Sequence, residues 1–585
     1  MSRIANLAAS STLIFMAVLL MLSRIPIQGF VQPIPLVVAS AVLVTFAIRM
    51  IDGHKSSLIA LISIFGFCLL MAMWGFATQI FYPAGHDGFG YHLTAIWDLA
   101  AGWNPFFSSH NNIWVDSYPS GYWALQGFIV STTGLPLSGQ GLIIGLMVVL
   151  AFQAYAFFMD RISPLLPSHQ NIISLFFAAL IVCNPAIVTQ IQTHYVDAPL
   201  YLFGSSLLFL LIMDMHRESW ISRWAAVSCI ILAVNTKTSA LYFTPLIIFG
   251  GFVVEIYFGA KETGLVRQTF QWIRAKGILY ALAGIFAILV VGYKPYVTNV
   301  LDHDTLLYPN SDRIMKGNTP VNVQDPMPGP MKFLYGVLAR TEHNRYGIPT
   351  EAPIHLKIPG SFELKEFYAP DYDTRRGGFG PLFSLALIGS ILLLLIGRLS
   401  AAKAAPSSSM REGDSIAIYG LILLGITIFF PEPWWARYVP FLWLTPILFV
   451  VAVLCFASNV RKMSVFMSIT MAITVLSLIG CVLSGALGSA RQHIKTYERF
   501  ASLERMKSAP VVELFEIKDT RVFSDYQSKS QSDADIVYAE ILGSEGINTK
   551  IVTEFDPDRC RASGYFFGGI IWCIPKAKDP SVQNE

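Results

Sequence analysis

The residues with the clearest chemical potential lie in one stretch, residues 82–123, between two long apolar segments. Asp87 is the central acid of this stretch, and His86 and His92 lie beside it. A carboxylate can accept a proton, and an imidazole can orient or exchange one. Asp87 is therefore a candidate catalytic base with His86 and His92 as its helpers. Two alternatives remain: Asp87 caps the helix that follows, and the histidines form structural hydrogen bonds.

Further polar side chains stand at the ends of later apolar segments, where a charge near a membrane is costly and commonly functional. They are His194, Asp197, Lys237, Lys294, Glu432, Arg437 and Tyr438. If the corners of a helical bundle meet, these groups line one polar cavity. The three cations suit a phosphate, and substrate contacts are predicted for Tyr91, His194, Asp197 and Tyr438. The alternative is that the cations extend toward lipid headgroups as ordinary interfacial residues.

Metal binding is a further possibility for this set of polar residues. Asp87, His92, His194 and Asp197 are of the types that coordinate divalent ions. No dense ligand motif joins them, so no cofactor is predicted.

The composition is that of a membrane protein. Of 585 residues, 54% are hydrophobic and 14% charged, and the mean hydropathy is +0.54. The net charge of +3 is small and dispersed, which does not favour a nucleic-acid partner. We expect membrane lipid as a partner.

Apolar runs long enough to cross a bilayer recur up to residue 486 and predict about thirteen helices. The predicted spans are 5–23, 33–49, 57–81, 137–158, 171–190, 198–214, 223–236, 239–258, 278–295, 380–397, 414–431, 438–456 and 464–486. The expected fold is mainly α, a polytopic bundle over residues 1–486.

The distribution of Lys and Arg predicts the orientation, because cytoplasmic loops retain positive charge. With the N-terminus in the cytoplasm, the short outward loops hold only Arg24, Lys237 and Arg437. The loops 82–136 and 296–379 then face outward. The Pro- and Gly-rich loop 296–379 forms either a lid or acceptor surface, or a structural cap. We expect an integral protein of a bacterial inner membrane.

Residues 487–585 are predicted to form a small extracytoplasmic α/β domain. The segments VVELFEI, TRVFSDY, NTKIVTEF and GGIIWCIP have strand-like patterns, and ADIVYAEILGSEG is helix-like. Cys560 and Cys573 lie in this region, so they form either a disulfide in an oxidising compartment or two free buried thiols.

Three segments together resemble the GT-C class of membrane glycosyltransferases, which includes protein mannosyltransferases and the aminoarabinose transferases that act on lipid A. GHDGFGYHLTAIWDLAAGWNPFF is similar to the catalytic loop of that class, THYVDAPLYLFG to its next outward turn, and WWARYVPFLWL to its late Arg-Tyr corner. The resemblance covers the layout of residues 57–456. It implies that Asp87 is the catalytic acid and that Arg437 binds the phosphate of a lipid carrier.

Two features depart from the pattern of the class. Many members carry two adjacent acids in the first loop, whereas Gly88 follows Asp87 here. The role of the second acid is therefore vacant or filled by Asp197. Two predicted spans also precede the one that leads into the catalytic loop, where members usually have one.

The expected reaction is transfer of a sugar from a polyprenyl-phosphate donor to a hydroxyl of a glycan, lipid or protein acceptor, with inversion. Nucleotide sugars are not normally supplied outside the cytoplasm, so a lipid-linked donor fits an outward site. Two alternatives are a transporter or flippase of lipid-linked or small polar solutes, and an outward-facing glycan polymerase or ligase. The transporter is less favoured because transporter sites lie near the bilayer midplane, often within repeats.

Overall fold

The computed structural model describes most of the chain, and the fold is mostly helical, with helix in 71% of the described residues. The described ranges are 1–25, 33–78, 85–162, 168–309, 318–345, 351–401, 408–457, 464–500, 502–517, 534–566 and 569–576. A helical bundle and a small C-terminal sheet make up this part of the chain. The expected mainly α fold is confirmed.

Ten helical stretches within the described ranges are long and apolar enough to cross a membrane. They are Ser2–Ser23, Pro33–Asp52, His54–Ala77, Ser138–Arg161, Asp197–Met215, Ala240–Lys261, Leu265–Val291, Phe383–Ala401, Pro440–Ala457 and Val465–Tyr497. These stretches are compatible with an integral membrane protein, because lipid offers the backbone no hydrogen-bond partners and a helix satisfies its own.

The predicted count of about thirteen spans is not confirmed. The predicted spans 171–190 and 223–236 correspond to Gln170–Val182 and Trp220–Val234, which have 13 and 15 residues. Both are shorter than a perpendicular crossing requires. The helix Ser408–Ile428 is not among the ten, and its first turns carry charged residues.

Shorter helical elements lie in the connections between the long helices and in the C-terminal tail. They are Gly88–His92, Leu93–Ala100, Ile113–Asp116, Gly121–Thr133, Pro185–Val188, Tyr293–Val297, Thr298–His303, Gly329–Leu338, Leu364–Tyr368, Leu503–Lys507, Ala534–Ser544 and Pro557–Arg559. Most of the elements before residue 380 belong to the loops 82–136 and 296–379.

Two of the ten stretches form the centre of the bundle. In Asp197–Met215, 94% of the apolar window is buried, and in Pro440–Ala457 89% is. The stretches Pro33–Asp52 and His54–Ala77 are far more exposed, at 17% and 22% buried, so they form an outer face suited to lipid. Any group attached to the start of a central helix is therefore held by the most tightly packed part of the molecule.

The helix that begins at Asp197 has polar clusters at both ends. Asp214, near its other end, pairs with Arg223 at 3.1 Å and with Lys276 at 3.0 Å. Asp197 and Asp214 are separated by about 25 Å along the helix at 1.5 Å per residue. This length is close to the thickness of a bilayer's hydrocarbon core, about 30 Å. The two clusters thus mark opposite ends of the bundle.

The C-terminal sheet has four strands, β1 (Val512–Glu516), β2 (Thr549–Ile551), β3 (Cys560–Phe566) and β4 (Ile570–Pro575). Their order is β2-β1-β4-β3, with β1 parallel to β2 and the other pairs antiparallel.

The predicted α/β pattern is present in the described part of the tail, although β3 was not predicted. The residues of TRVFSDY, predicted to be strand-like, lie outside the described residues. The structure contains a disulfide between Cys560 and Cys573, which joins β3 to β4.

The last long helix, Val465–Phe500, has 36 residues and runs past residue 486, the predicted domain boundary. It packs on the loop around Leu364–Tyr368, where Ser484 Oγ donates to the carbonyl of Phe367 at 3.2 Å. At Gly488 an added Cβ would lie 2.3 Å from the carbonyl oxygen of Pro370. The close contact requires glycine and fixes the helix against this loop.

Candidate functional site

Arg437 lies at the centre of a cluster of carboxylates. Its Nε is 2.9 Å from Asp197 Oδ2, its Nη1 is 2.8 Å from Asp373 Oδ1, and its Nη2 is 3.4 Å from Asp87 Oδ2. Each guanidinium nitrogen therefore faces a different acid. A planar cation with donors along its edges suits this arrangement, which a lysine could not reproduce.

Aromatic rings surround the same guanidinium. Its Cζ lies 4.6 Å from the ring centroid of Tyr195, 5.3 Å from that of Trp435 and 5.5 Å from that of Tyr438. Such contacts stabilise a cation through the ring quadrupole and exclude water from it. The acids and the rings together hold Arg437 in one orientation.

The two central helices position this cluster. Asp197 is the first residue of one, and Arg437 lies three residues before the other, which begins at Pro440. Both helices direct their N-termini toward the cluster, and the positive end of a helix dipole favours nearby acids. We call the group formed by Asp87, Asp197, Asp373, Lys237 and Arg437 the acid–arginine cluster.

Asp87 lies where the loop between the stretches His54–Ala77 and Ser138–Arg161 enters the cluster. The π-helical turn Gly88–His92 follows it, and the Asp87 side chain makes no capping hydrogen bond to that turn. Gly85, with φ of +105°, precedes it and passes so close to Tyr195 that an added Cβ would lie 3.1 Å from the ring. The capping alternative for Asp87 is therefore not supported.

The Asp87 carboxyl is the most accessible of the three acids, with 29% of its side chain exposed against 3% for Asp197 and 9% for Asp373. Burial opposes its ionisation, but His86 and Arg437 outweigh burial and hold the pKa of Asp87 below its ordinary value. His86 Nδ1 lies 3.9 Å from Asp87 Oδ1, and 68% of the His86 side chain is exposed. The acid is thus ionised and reachable.

His92 is buried, with 1% exposure, and its Nδ1 accepts a hydrogen bond of 2.8 Å from Trp123 Nε1. Burial lowers the pKa of His92 to about 4. A ring that accepts at Nδ1 carries its proton at Nε2, so His92 is a neutral donor at neutral pH. This arrangement suits orientation of a neighbouring group more than proton exchange.

Lys237 and Tyr438 are two further predicted site residues, of which Lys237 belongs to the acid–arginine cluster and Tyr438 packs against it. Lys237 forms a buried ion pair with Asp197, and its Nζ lies 4.4 Å from the centroid of the Tyr438 ring. Asp197 therefore pairs with both Lys237 and Arg437. That Asp197 supplies the second acid of the site stays a prediction.

Three predicted site residues make their contacts outside the ion pairs of the acid–arginine cluster. Lys294 pairs with Asp116 of the loop that carries Asp87. Tyr91 stacks on Trp114, with centroids 5.7 Å apart. His194 is fully buried and its Nδ1 lies 2.7 Å from Gln126 Oε1. Burial lowers the pKa of His194 to about 3, so it is neutral.

Over the ranges that the structure describes, no three His, Cys, Asp or Glu side chains are grouped so that they could hold a metal ion. His92 and His194 instead direct Nδ1 at Trp123 and Gln126, and Asp197 faces Lys237 and Arg437. The four residues considered as ligands are thus occupied with other partners.

No family model matches the chain, and no curated protein matches it.

Sequence reasoning missed Asp373 and its neighbours. Asp373 pairs with Arg375 at 3.0 Å, and Arg375 also pairs with the buried Glu351 at 3.3 Å and lies over the Trp435 ring. Glu351 in turn lies 3.5 Å from Arg376. Asp373, Arg375 and Arg376 belong to the segment DYDTRRGGFGP, within the loop 296–379 that was predicted from its proline and glycine content. The two acids followed by two arginines in this segment were the available signal.

Proposed function

We propose that the protein is an integral membrane glycosyltransferase that moves a sugar from a polyprenyl-phosphate donor to an acceptor hydroxyl on the extracytoplasmic face. The observation that carries the proposal is the convergence of Asp87, from the first loop, with Arg437 and Lys237, from later corners of the bundle. An accessible carboxylate beside cations is what transfer from a lipid phosphate requires.

In the proposed reaction Asp87 takes the proton of the acceptor hydroxyl while that oxygen bonds to the anomeric carbon. The bond between that carbon and the phosphate oxygen breaks, and the lipid phosphate leaves with the electron pair. Direct displacement inverts the anomeric centre. Base assistance contributes about a hundredfold to ten-thousandfold, and charge stabilisation of the leaving phosphate contributes further.

In the acid–arginine cluster the donor phosphate would compete with the Asp87 carboxylate for Arg437. Three acids face two cations there, so an entering phosphate must replace one acid. Asp87 has the longest contact to Arg437 and the most exposed side chain. Replacement of Asp87 by phosphate neutralises the charge on Arg437 and releases the carboxylate, whose proton affinity then rises. Donor binding would thereby activate the base.

The position of the cluster supports a transferase over a transporter. The acids and Arg437 lie at the starts of the two central helices, whereas transporter sites typically lie at the bilayer midplane on broken helices. A site at the end of the bundle admits a lipid-borne phosphate from the membrane and an acceptor from water.

The test is to supply purified protein in vesicles with a polyprenyl-phosphate sugar and candidate acceptors. Release of lipid phosphate that depends on acceptor, and on Asp87, is the expected result. Movement of unaltered lipid between leaflets would favour a flippase and overturn the proposal. If a lipid-linked glycan chain is both donor and acceptor and grows in length, the protein is a polymerase with the same donor chemistry.

A further inference from the structure

The C-terminal sheet does not have a hydrophobic core of its own residues alone. Its buried core contains Val512, Leu514 and Tyr538 of the tail together with Phe89 and Leu93 of the first outward loop. Phe89, Leu93 and Tyr538 are fully buried. A small domain buries little apolar surface by itself, so the loop residues complete it.

A column of three aromatic rings makes the connection. Phe89 and Tyr538 have centroids 4.5 Å apart and planes 12° from parallel, and Tyr538 and Phe566 have centroids 4.5 Å apart and planes 9° from parallel. Phe89 lies two residues after Asp87, within the Gly88–His92 turn. The Phe89 ring, which projects from this turn, is thus held between the sheet domain and the bundle.

The sheet domain also carries a charge that acts on the histidine beside Asp87. Asp87 and, more weakly, Glu516 at the end of β1 raise the pKa of the His86 imidazole, whose side chain is mostly exposed.

We propose that the C-terminal sheet forms one wall of the Asp87 site and that Tyr538 is a positioning residue, which holds the Asp87 turn through Phe89. Asp87 then lies between two anchors, Arg437 on the bundle side and the Phe89–Tyr538 stack on the sheet side. The catalytic consequence rests on the proposed function, whereas the positioning of the turn does not.

Backbone hydrogen–deuterium exchange in the full-length protein tests the positioning directly. Stacked aromatic pairs contribute about 0.5–1.5 kcal/mol beyond their burial, so Tyr538→Ala should raise exchange in residues 88–93 by about twofold to tenfold. Tyr538→Phe, which keeps the ring, should restore the wild-type rate. Tyr565→Ala is the matched control, because Tyr565 belongs to the same sheet and is 66% exposed.

A second variant separates positioning from unfolding of the sheet. Phe89→Leu changes the loop side of the stack, leaves every residue of the sheet in place, and should raise exchange over the same residues. Retention of the Cys560–Cys573 disulfide, measured by thiol alkylation, checks that the domain is intact. Exchange at the control level in both Tyr538→Ala and Phe89→Leu would overturn the proposal.

Turnover provides the catalytic readout. Tyr538→Ala should lower kcat for transfer about tenfold, in line with a misplaced reacting group, while the KM for the donor changes little and Tyr538→Phe behaves as wild type. If the wild-type protein shows no transferase activity but the variants still exchange faster than wild type, the proposed function is wrong and the positioning role stands. Normal kcat in Tyr538→Ala, despite faster exchange, would overturn the catalytic part.

Discussion

Arg437 Nη2 lies 3.4 Å from Asp87 Oδ2, whereas the contacts of the same guanidinium with Asp197 and Asp373 measure 2.9 and 2.8 Å. Asp87 is therefore the acid held least tightly by the shared arginine. It is also the one most open to solvent. A site that must exchange one carboxylate for a phosphate has this acid available without loss of the other two pairs.

Asp87→Asn should abolish transfer, with a loss of about a hundredfold or more, because an amide cannot accept the acceptor's proton. The shape of the side chain is retained, so membrane insertion and thermal stability should stay near wild type. The measurement is initial rate of acceptor glycosylation at saturating donor.

Asp98→Asn is the matched control for Asp87→Asn. Asp98 lies in the same loop and pairs with His110 at 2.8 Å, away from the ion pairs of Arg437. The Asp98→Asn variant should transfer sugar at close to the wild-type rate. Near-normal turnover in Asp87→Asn would exclude Asp87 as the base.

Arg437→Ala should destabilise the protein by about 3–5 kcal/mol, because it leaves buried carboxylates without their cation. Asp373→Asn in the same chain should recover part of this loss, since it removes one uncompensated charge. The free energy of unfolding, or the thermal midpoint in detergent, measures both effects. Strict additivity of the two substitutions would contradict the coupling seen between these side chains.

Donor dependence separates the role of Arg437 from that of Lys294. Arg437→Lys retains a charge but cannot face three acids and a phosphate with one planar group, so the KM for the lipid donor should rise. Lys294→Ala removes a cation that pairs with Asp116 and should change the donor KM less. The reverse order of effects would assign the phosphate to Lys294.

Acidification should destabilise the protein partly through His92. Its folded pKa of about 4 lies below the ordinary value of about 6.5, so the unfolded chain binds the proton first. The stability from His92 is complete above pH about 6.5 and is lost as the pH falls toward 4.

His92→Asn should therefore flatten the decline of the thermal midpoint between those pH values. The exposed His54 is suited to the control substitution His54→Asn, which should leave the slope unchanged. If the thermal midpoints of His92→Asn and wild type fall in parallel with pH, His92 does not contribute to the loss of stability.

The Cys560–Cys573 bond allows a test of sidedness as well as stability. Closure of a loop of this size, with a sequence separation of 13, contributes about 3 kcal/mol. If the sheet is extracytoplasmic, treating intact cells with a membrane-impermeant reductant and then an impermeant maleimide should label Cys560. The variant Cys560→Ser/Cys573→Ser should show no such label. Labelling of the native pair only after lysis would place the sheet in the cytoplasm.

Local sequence patterns predicted the helices, and the polar residues at the helix ends, better than they predicted the loops. Long apolar runs specify membrane helices directly, and polar residues at their ends identified Asp197, Lys237 and Arg437. Whether the first loop meets those ends is decided by tertiary packing, so the 3.4 Å contact of Asp87 required the structure.

Other features had weak or misleading signals. Asp373 lies in an irregular loop without periodicity, and its role depends on contacts with residues distant in sequence. Strand β3, with exposed and half-buried residues alternating, contains Arg561, Ser563 and Gly564 and lacks a strong apolar pattern. The predicted number of spans included segments such as Gln170–Val182, which is apolar enough for a membrane span but has only 13 residues.

The continuous helix Val465–Phe500 is longer than the hydrocarbon core of a bilayer is thick. Its 36 residues extend about 54 Å at 1.5 Å per residue, against a hydrocarbon core of about 30 Å. The length of the helix sets the distance and the angle between its apolar part and Phe500, where it ends. An insertion of four residues near residue 490 would move Phe500 by about 6 Å along the axis and rotate it by about 40°, and we expect this shift to separate Tyr538 from Phe89.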